Sequence, residues 1–412
     1  MPIISAVDTA LMGGLSVLHL GAIGLGSMIF NFIYWNFGFL RMGTTGMVAQ
    51  AHGKKLNSEV AKIGIRSLLI ALVISALLMI LSSGIYELSS VALNISNDQT
   101  SLVEEYFMIR IWAAPATICL YVIMGWFFGL QNVIYPLIVT LLINISNAFL
   151  SFYFVMSLGM EIRGVAYGTV IAQYLGLALS LVLVTNKYKD YFKVSINEIR
   201  GKLADWSSLF TVNSFLFIRT VCLTFAFAFF YAQSSKEGAI ILATHVVLLQ
   251  FSNWISYGID GFAFASESMV GKYYGANDKA SLKKTIDLTF MWSFLLAAFF
   301  ALFYYGFEMS ILNIFTEDGN VINLALEYRI WMLILPLAAC SCYIWDGIYI
   351  GLTAVKSMMV AMVISLLFFL AYFYLIVESG YSNLWIALIA FLFIRGVLQF
   401  GIWHKSLKYN VI

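Results

Sequence analysis

The chain contains one pattern twice. Gly125-x3-Gly129-Leu130-x2-Val133 returns as Gly347-x3-Gly351-Leu352-x2-Val355, 222 positions later. The same shift lays Val48 and Gly53 on Val270 and Gly275, and Tyr121 on Tyr343. A single offset holding across separate segments calls for two structurally equivalent bundles with no net insertion between the matched points. The chain is also 62% hydrophobic, with a mean hydropathy of +0.90. In such a chain, internal duplication is the plan of membrane transporters, whose halves move about a shared cavity.

Charged residues make up 11% of the sequence and proline contributes 4 residues, against about 25% charge in a soluble domain. Water is therefore not the solvent for most of the surface. Apolar runs near 20–50, 60–82, 103–130, 135–158, 162–185, 206–231, 239–271, 285–307, 325–352, 357–377 and 383–405 each approach or exceed the ~20 residues a helix needs to cross the bilayer. A twelfth span is expected at the start, where residues 1–17 supply a short apolar stretch containing Asp8 and read as a truncated first helix. That stretch lacks a basic leader and carries an acid, so it does not read as a signal peptide. Cys119, Cys222, Cys340 and Cys342 all lie in apolar segments and read as small fillers, with neither disulfide nor metal clip suggested.

Assigning loops alternately to two sides places sixteen of the 23 Lys and Arg on one face, including Lys54, Lys55, Lys62 and Arg66, the run from Lys187 to Lys202, and Lys272 to Lys284. Arg110, Arg163, Lys236 and Arg329 fall on the other. The richer face is the cytoplasmic one. Residues 186–205 form the longest polar stretch and read as a cytoplasmic linker, giving an amino-terminal lobe over 1–185 and a carboxy-terminal lobe over 206–412. The net charge of +2 and the absence of a basic arm give no reason to expect nucleic acid as a partner.

Ionisable residues at membrane depth are costly and mark function by default. Asp8, Arg41, Arg219, Asp260, Glu267, Asp346 and Arg395 qualify. Burial raises a carboxyl's pKa toward neutrality, which suits it to carrying a proton; the plainer role is a buried ion pair that fixes packing. Asp260 and Glu267 are two helical turns apart and share a face. A polar cluster follows on the fifth and sixth spans: Asn144, Asn147 and Ser151, then Thr169 and Gln173. Asn147 and Ser151 sit at i and i+4 on one face. Such residues also hold membrane helices together.

His19, His245 and His404 do not cluster, so metal ligation is not expected. No G-x4-G-K-[ST] sequence occurs and ATP hydrolysis is not expected. The zinc-protease and nucleophile-elbow motifs are also missing, which argues against an enzyme. Energy would come from an ion gradient.

Five pieces resemble the multidrug and toxic compound extrusion (MATE) family, in its DNA-damage-inducible F branch: VDTALMG at 7–13, LRMGTTGMVAQAHG at 40–53, YFMIRIWAAPATICLYVIMGWFFG at 106–129, IDGFAFASESMVGKYYG at 259–275 and WDGIYIGLT at 345–353. The resemblance implies an all-α polytopic membrane protein with twelve helices in two pseudo-symmetric six-helix lobes, arranged as a V. It implies a monomeric antiporter in the inner membrane, its linker and carboxy terminus cytoplasmic. Amphipathic, often cationic drugs or toxins would leave in exchange for protons or sodium, with no other cofactor. The proposed coupling acid of the family's first helix falls on Asp8, and its usual neighbours on Asn147, Ser151 and Thr169. Relatives commonly have aspartate where this chain has Ser151, which favours protons over sodium. Asp260, Glu267, Asp346 and Gln173 are the expected substrate-cavity residues, with the acids adding negative potential. A rival reading is a flippase for lipid-linked sugars or polyprenyl carriers, which would need a cationic cavity; the intramembrane acids outnumber the arginines and weigh against it.

Overall fold

The computed structural model describes residues 16–375 and 382–407. Its elements are helices: α1 Val17–Phe37, α2 Phe39–Gly53, α3 Asn57–Ile80, α4 Ser82–Ala92, α5 Asn97–Arg110, α6 Ala114–Gly129, α7 Ile134–Phe152, α8 Glu161–Lys187, α9 Ile196–Arg200, α10 Leu203–Lys236, α11 Ala239–Gly275, α12 Lys279–Phe315, α13 Gly319–Glu327, α14 Arg329–Gly351, α15 Val355–Leu375 and α16 Ser382–Ile402. Eleven helical stretches among the described residues are long and apolar enough to cross a membrane, from Leu18–Gly53 to Leu384–Lys405. Each falls on one of the eleven expected full spans. Several run further than the apolar pattern: Lys279–Phe315 begins two turns before the expected start, because backbone hydrogen bonding continues through Lys283 and Lys284 after hydrophobicity ends. Residues 1–15, the bulk of the expected twelfth span, lie outside the described residues.

These helices are apolar nearly all round, as lipid-exposed helices must be. Leu72, Val73, Leu77 and Ile80 of α3 and Leu302 of α12 are exposed, a surface that water would not tolerate over this area.

Sequence duplication becomes structural duplication at the helix ends. Helices α6 and α14 both stop at the second glycine of the repeated motif, and Gln131 and Thr353 follow in the left-handed region at φ 60° and 53°. Asn132 N donates to Phe127 O and Ala354 N to Tyr349 O, both at 2.9 Å. The ends of α2 and α11 match in the same way, with Lys55 and Asn277 at φ 58° and 55°. Non-glycine residues seldom adopt this conformation, so two such pairs at one offset mark equivalent turns. Gly53 and Gly275 are paired reciprocally: a Cβ on Gly53 would strike the carbonyl of Lys272, and a Cβ on Gly275 the carbonyl of Gln50.

The chain divides into two compact units, residues 1–44 with 56–209, and 45–55 with 210–412. Within the first, α7 packs along α8, α3 against α6, and α5 against α1 and α8. The polar stretch after α8 belongs to this unit and is held by Arg66 of α3. That side chain is buried, and its guanidinium donates to Ile199 O at 2.8 Å, Glu198 O at 3.0 Å and Asp205 Oδ2 at 3.1 Å. Tyr188, Tyr191 and Phe192 close on the Trp126 indole. In the second unit α14 is the hub, packed on α11, α12 and α16.

Candidate functional site

In the first unit the site grows from the seam of α7 and α8. Asn147 and Ser151 face α8 because they are one turn apart on α7, and Gly168 lets the helices approach until a Cβ there would lie 2.8 Å from the Ser151 amide nitrogen. Asn147 Nδ2 donates to Thr169 Oγ1 at 3.0 Å and to Ser151 Oγ at 3.3 Å, while the Thr169 hydroxyl donates to Val165 O at 3.0 Å. All three side chains are buried. The Asn147 Oδ1 acceptor has no hydrogen-bond partner among the described residues. Gln173 is buried one turn beyond Thr169, in this unit and not in that of the acids grouped with it. Asp8 lies outside the described residues.

In the second unit Asp346 of α14 meets two arginines. Arg219 of α10 and Arg395 of α16 both donate to Oδ2, the latter at 2.6 Å, and Gln399 Nε2 donates to Oδ1 at 2.6 Å. Asp346 and Arg219 are each 6% exposed, and Arg395 and Gln399 are 0% exposed. Two guanidinium groups thus share one carboxylate, with Asp260 near enough to act on the same Cys342 and Tyr343 side chains. Of the acids expected to add negative potential to this half, Asp346 is the one seen to be paired with two arginines. Arg219 and Arg395 lie 127 and 49 residues from Asp346 in sequence, too far for spacing to link them. The Arg395 guanidinium also stands 5.7 Å from the centre of the Tyr343 ring, and Tyr343 shares a 3.1 Å hydrogen bond with Ser256. Asp260, one turn from Ser256 on α11, is half-buried; Glu267, two turns further, is buried. An apolar groove of about 420 Å³ in this unit is lined by Phe290, Phe294, Trp345, Phe393 and Phe400 among others, and not by Asp346 or its partners.

Three polar groups escaped the sequence reading. Gln399 stands in an apolar run with no spacing that links it to Asp346. Arg110 was assigned to a face of the membrane, yet it is buried, hydrogen-bonded to Tyr106 and 5.1 Å from the centre of the Phe30 ring. Glu308 follows the kink at Phe307 in α12 and is buried against Arg329. The one signal for Glu308 was an acid inside an apolar run whose span had been ended one residue too early.

Outside the spans, Asp278 caps α12 by accepting from Ser281 N at 3.0 Å, and this bonding holds its carboxyl below the usual carboxylate range. Asp190 is held low and Lys193 high by their mutual ion pair at 2.8 Å.

A helical chain with eleven candidate spans among the described residues, and with buried polar clusters inside them, is a polytopic membrane protein, and its relatives make it a transporter. The MatE family model matches residues 1–153 and 215–375. The chain belongs to that family. It is 31% identical to DNA damage-inducible protein F of Escherichia coli K12, over 98% of this chain and 88% of that protein. Similarity extends to human multidrug and toxin extrusion protein 1, 24% identical over 82% of this chain and 58% of that one. Solved structures share the fold. A MATE protein in its bent conformation superposes with a TM-score of 0.87 at 17% identity, covering 99% of this chain and 92% of the other. The Vibrio cholerae MATE transporter VcmN in its bent form gives 0.86 at 18% identity, covering 99% and 93%.

Proposed function

We propose that the protein is an antiporter of the inner membrane that exports amphipathic, often cationic small molecules in exchange for protons, with its linker and carboxy terminus in the cytoplasm. The observation that supports proton coupling is the Asn147, Ser151 and Thr169 cluster, whose own side chains are neutral amide and hydroxyl groups. Ser151 offers a neutral hydroxyl where relatives commonly carry a carboxylate, so this seam has one anionic ligand fewer to hold a sodium ion. A buried amide oxygen with no donor among the described residues suits a neighbouring carboxyl that donates only when protonated. Asp8 takes that role by its resemblance to the family's coupling acid. Deprotonated, it favours the conformation that holds a cation; protonated from outside, it lets helices repack and the substrate leave. Such coupling requires only that the two states differ in affinity.

The test is efflux of a fluorescent cation from proteoliposomes under an imposed pH gradient, with and without a sodium gradient. Efflux should follow the pH gradient alone and be abolished in Asp8→Asn. Efflux that follows sodium, or wild-type rates in Asp8→Asn, overturns the reading.

A further inference from the structure

Three spanning helices of the second unit frame the apolar groove. Helices α12 and α16 each pack on α14, and Trp345 of α14 forms the wall between them, its ring centre 5.0 Å from that of Phe290 on α12 and 6.2 Å from that of Phe400 on α16. Gly396 lets α16 lie close to α14, since a Cβ there would stand 3.0 Å from Ser341 Oγ. Ser341 and Trp345 are the only lining residues whose side chains carry a polar atom. Phe393, Val397 and Phe400 are more than half exposed. On spanning helices, an open apolar wall of this kind suits hydrocarbon and not water. From Leu337 to Trp345 the groove follows α14 for eight positions, about 12 Å, a little under half of the ~30 Å hydrocarbon core.

One end of the groove is basic. Lys283 lies on the face of α12 that carries Phe290 and Phe294, two turns before the first of them, and Lys284 is beside it. The groove face of α16 continues from Phe400 to His404, with ring centres 4.5 Å apart, and on to Lys405. Successive spans alternate in direction, so the start of α12 and the end of α16 lie at the same side. Lys283, Lys284, His404 and Lys405 are all exposed. Between Asp278 and Asp287 there are three lysines and two aspartates, and Lys405 brings the net charge of this end to +2. No arginine, with its carboxylate-matched fork, stands in either stretch; lysines bind phosphate as point charges. From Phe294 back to Lys283 is eleven positions, about 16 Å along the helix, so the groove and its basic rim together cover the depth of one leaflet.

We propose that this groove is a site for an anionic phospholipid, with one acyl chain lying along Trp345 between α12 and α16 and the phosphate at Lys283, Lys284 and Lys405. Basic pockets between spanning helices hold anionic head groups in this way. The bound lipid braces α12 and α16 across α14. The proposal goes beyond the antiport reading and does not depend on which ion or substrate is carried.

The experiment titrates the full chain, in lipid-poor detergent, with dioleoyl phosphatidylglycerol, dioleoyl phosphatidylcholine or oleate, and counts bound molecules by native mass spectrometry. Phosphatidylglycerol should bind saturably and at least about tenfold more tightly than phosphatidylcholine, as two net lysine charges beside a phosphate require. The triple variant Lys283→Gln, Lys284→Gln, Lys405→Gln should bring it down to the phosphatidylcholine level, whereas Lys187→Gln, Lys189→Gln, Lys193→Gln in the first unit should leave it unchanged. Val397→Trp fills the groove from an exposed position and should weaken both phospholipids. Equal affinity for the two phospholipids, tighter binding of oleate, unchanged phosphatidylglycerol binding in either groove variant, or an equal loss in the first-unit variant overturns the proposal. Should a groove variant fail to fold, the wild-type ranking of the three ligands decides.

Discussion

Arg395 and Asp346 are joined by a 2.6 Å hydrogen bond between a guanidinium that is 0% exposed and a carboxylate that is 6% exposed. With Arg219 on the same oxygen, the carboxylate is the group on which two buried cations depend. Removing it should therefore cost more than removing either arginine. Asp346→Asn is expected to destabilise the second unit by about 3–5 kcal/mol, the usual result of stranding buried charge. Arg219→Gln should cost less, and the double variant should recover part of the loss. Thermal unfolding in detergent, compared across the three variants, checks the order.

The polar seam of the first unit makes a different demand. Asn147→Ala removes the donor to both Ser151 and Thr169 but leaves Thr169 bonded to Val165 O, so the helix pair should survive. A loss of about 1 kcal/mol for each neutral hydrogen bond is expected, together with a fall in pH-driven efflux well beyond what that modest instability explains. Proteoliposome efflux at equal incorporated protein is the measurement.

Glycine substitutions separate close approach from open space. A Cβ at Gly275 meets the Gln50 carbonyl, whereas one at Gly24 in the middle of α1 meets nothing within 4 Å. Gly275→Ala should cost about 1–3 kcal/mol through overpacking. Gly24→Ala should instead gain about 0.5–1 kcal/mol of helix stability. Opposite shifts in melting temperature are the expected outcome.

The Asp278 cap gives a pH dependence outside the membrane. Its carboxyl titrates below the usual range because Ser281 donates to the charged form. Its contribution to the first turn of α12 is therefore complete above the ordinary carboxylate pKa and lost as pH falls through the lowered value. The protection factors of the Ser281 and Leu282 amides, referred to the intrinsic exchange rate at each pH, should fall on acidification through that range. In Asp278→Ala the protection of Ser281 should be low at neutral pH already.

Arg66 predicts the behaviour of the polar stretch. Arg66→Ala removes its bonds to the Glu198 and Ile199 carbonyls and to Asp205. Tryptic cleavage at Lys193, Arg200 and Lys202 should become several-fold faster, as read on a gel against time. Unchanged cleavage would mean that the tyrosines packed on Trp126 hold the segment alone.

How much of this the sequence revealed depends on the range of each interaction. The eleven spans were legible because hydrophobicity is local and continuous, and the Asn147 and Ser151 pairing because one helical turn fixes it. The docking of residues 189–205 was not legible, since it rests on Arg66, more than 130 positions away. The meeting of Arg219 and Arg395 on Asp346 was illegible for the same reason: the two arginines are 127 and 49 positions from the acid, and sequence does not say which acids and arginines meet. Glu308 was lost to a boundary set one residue short, at a kink that apolar periodicity does not register.

The reciprocal placement of Gly53 and Gly275 has a further consequence. Contacts that repeat under exchange of partners are those a twofold axis creates between separate copies of one protein. Here both copies are carried on a single polypeptide, so this seam closes by intramolecular encounter and does not weaken on dilution. Extraction into detergent at any protein concentration should leave it intact, as it would not for a pair of half-length chains.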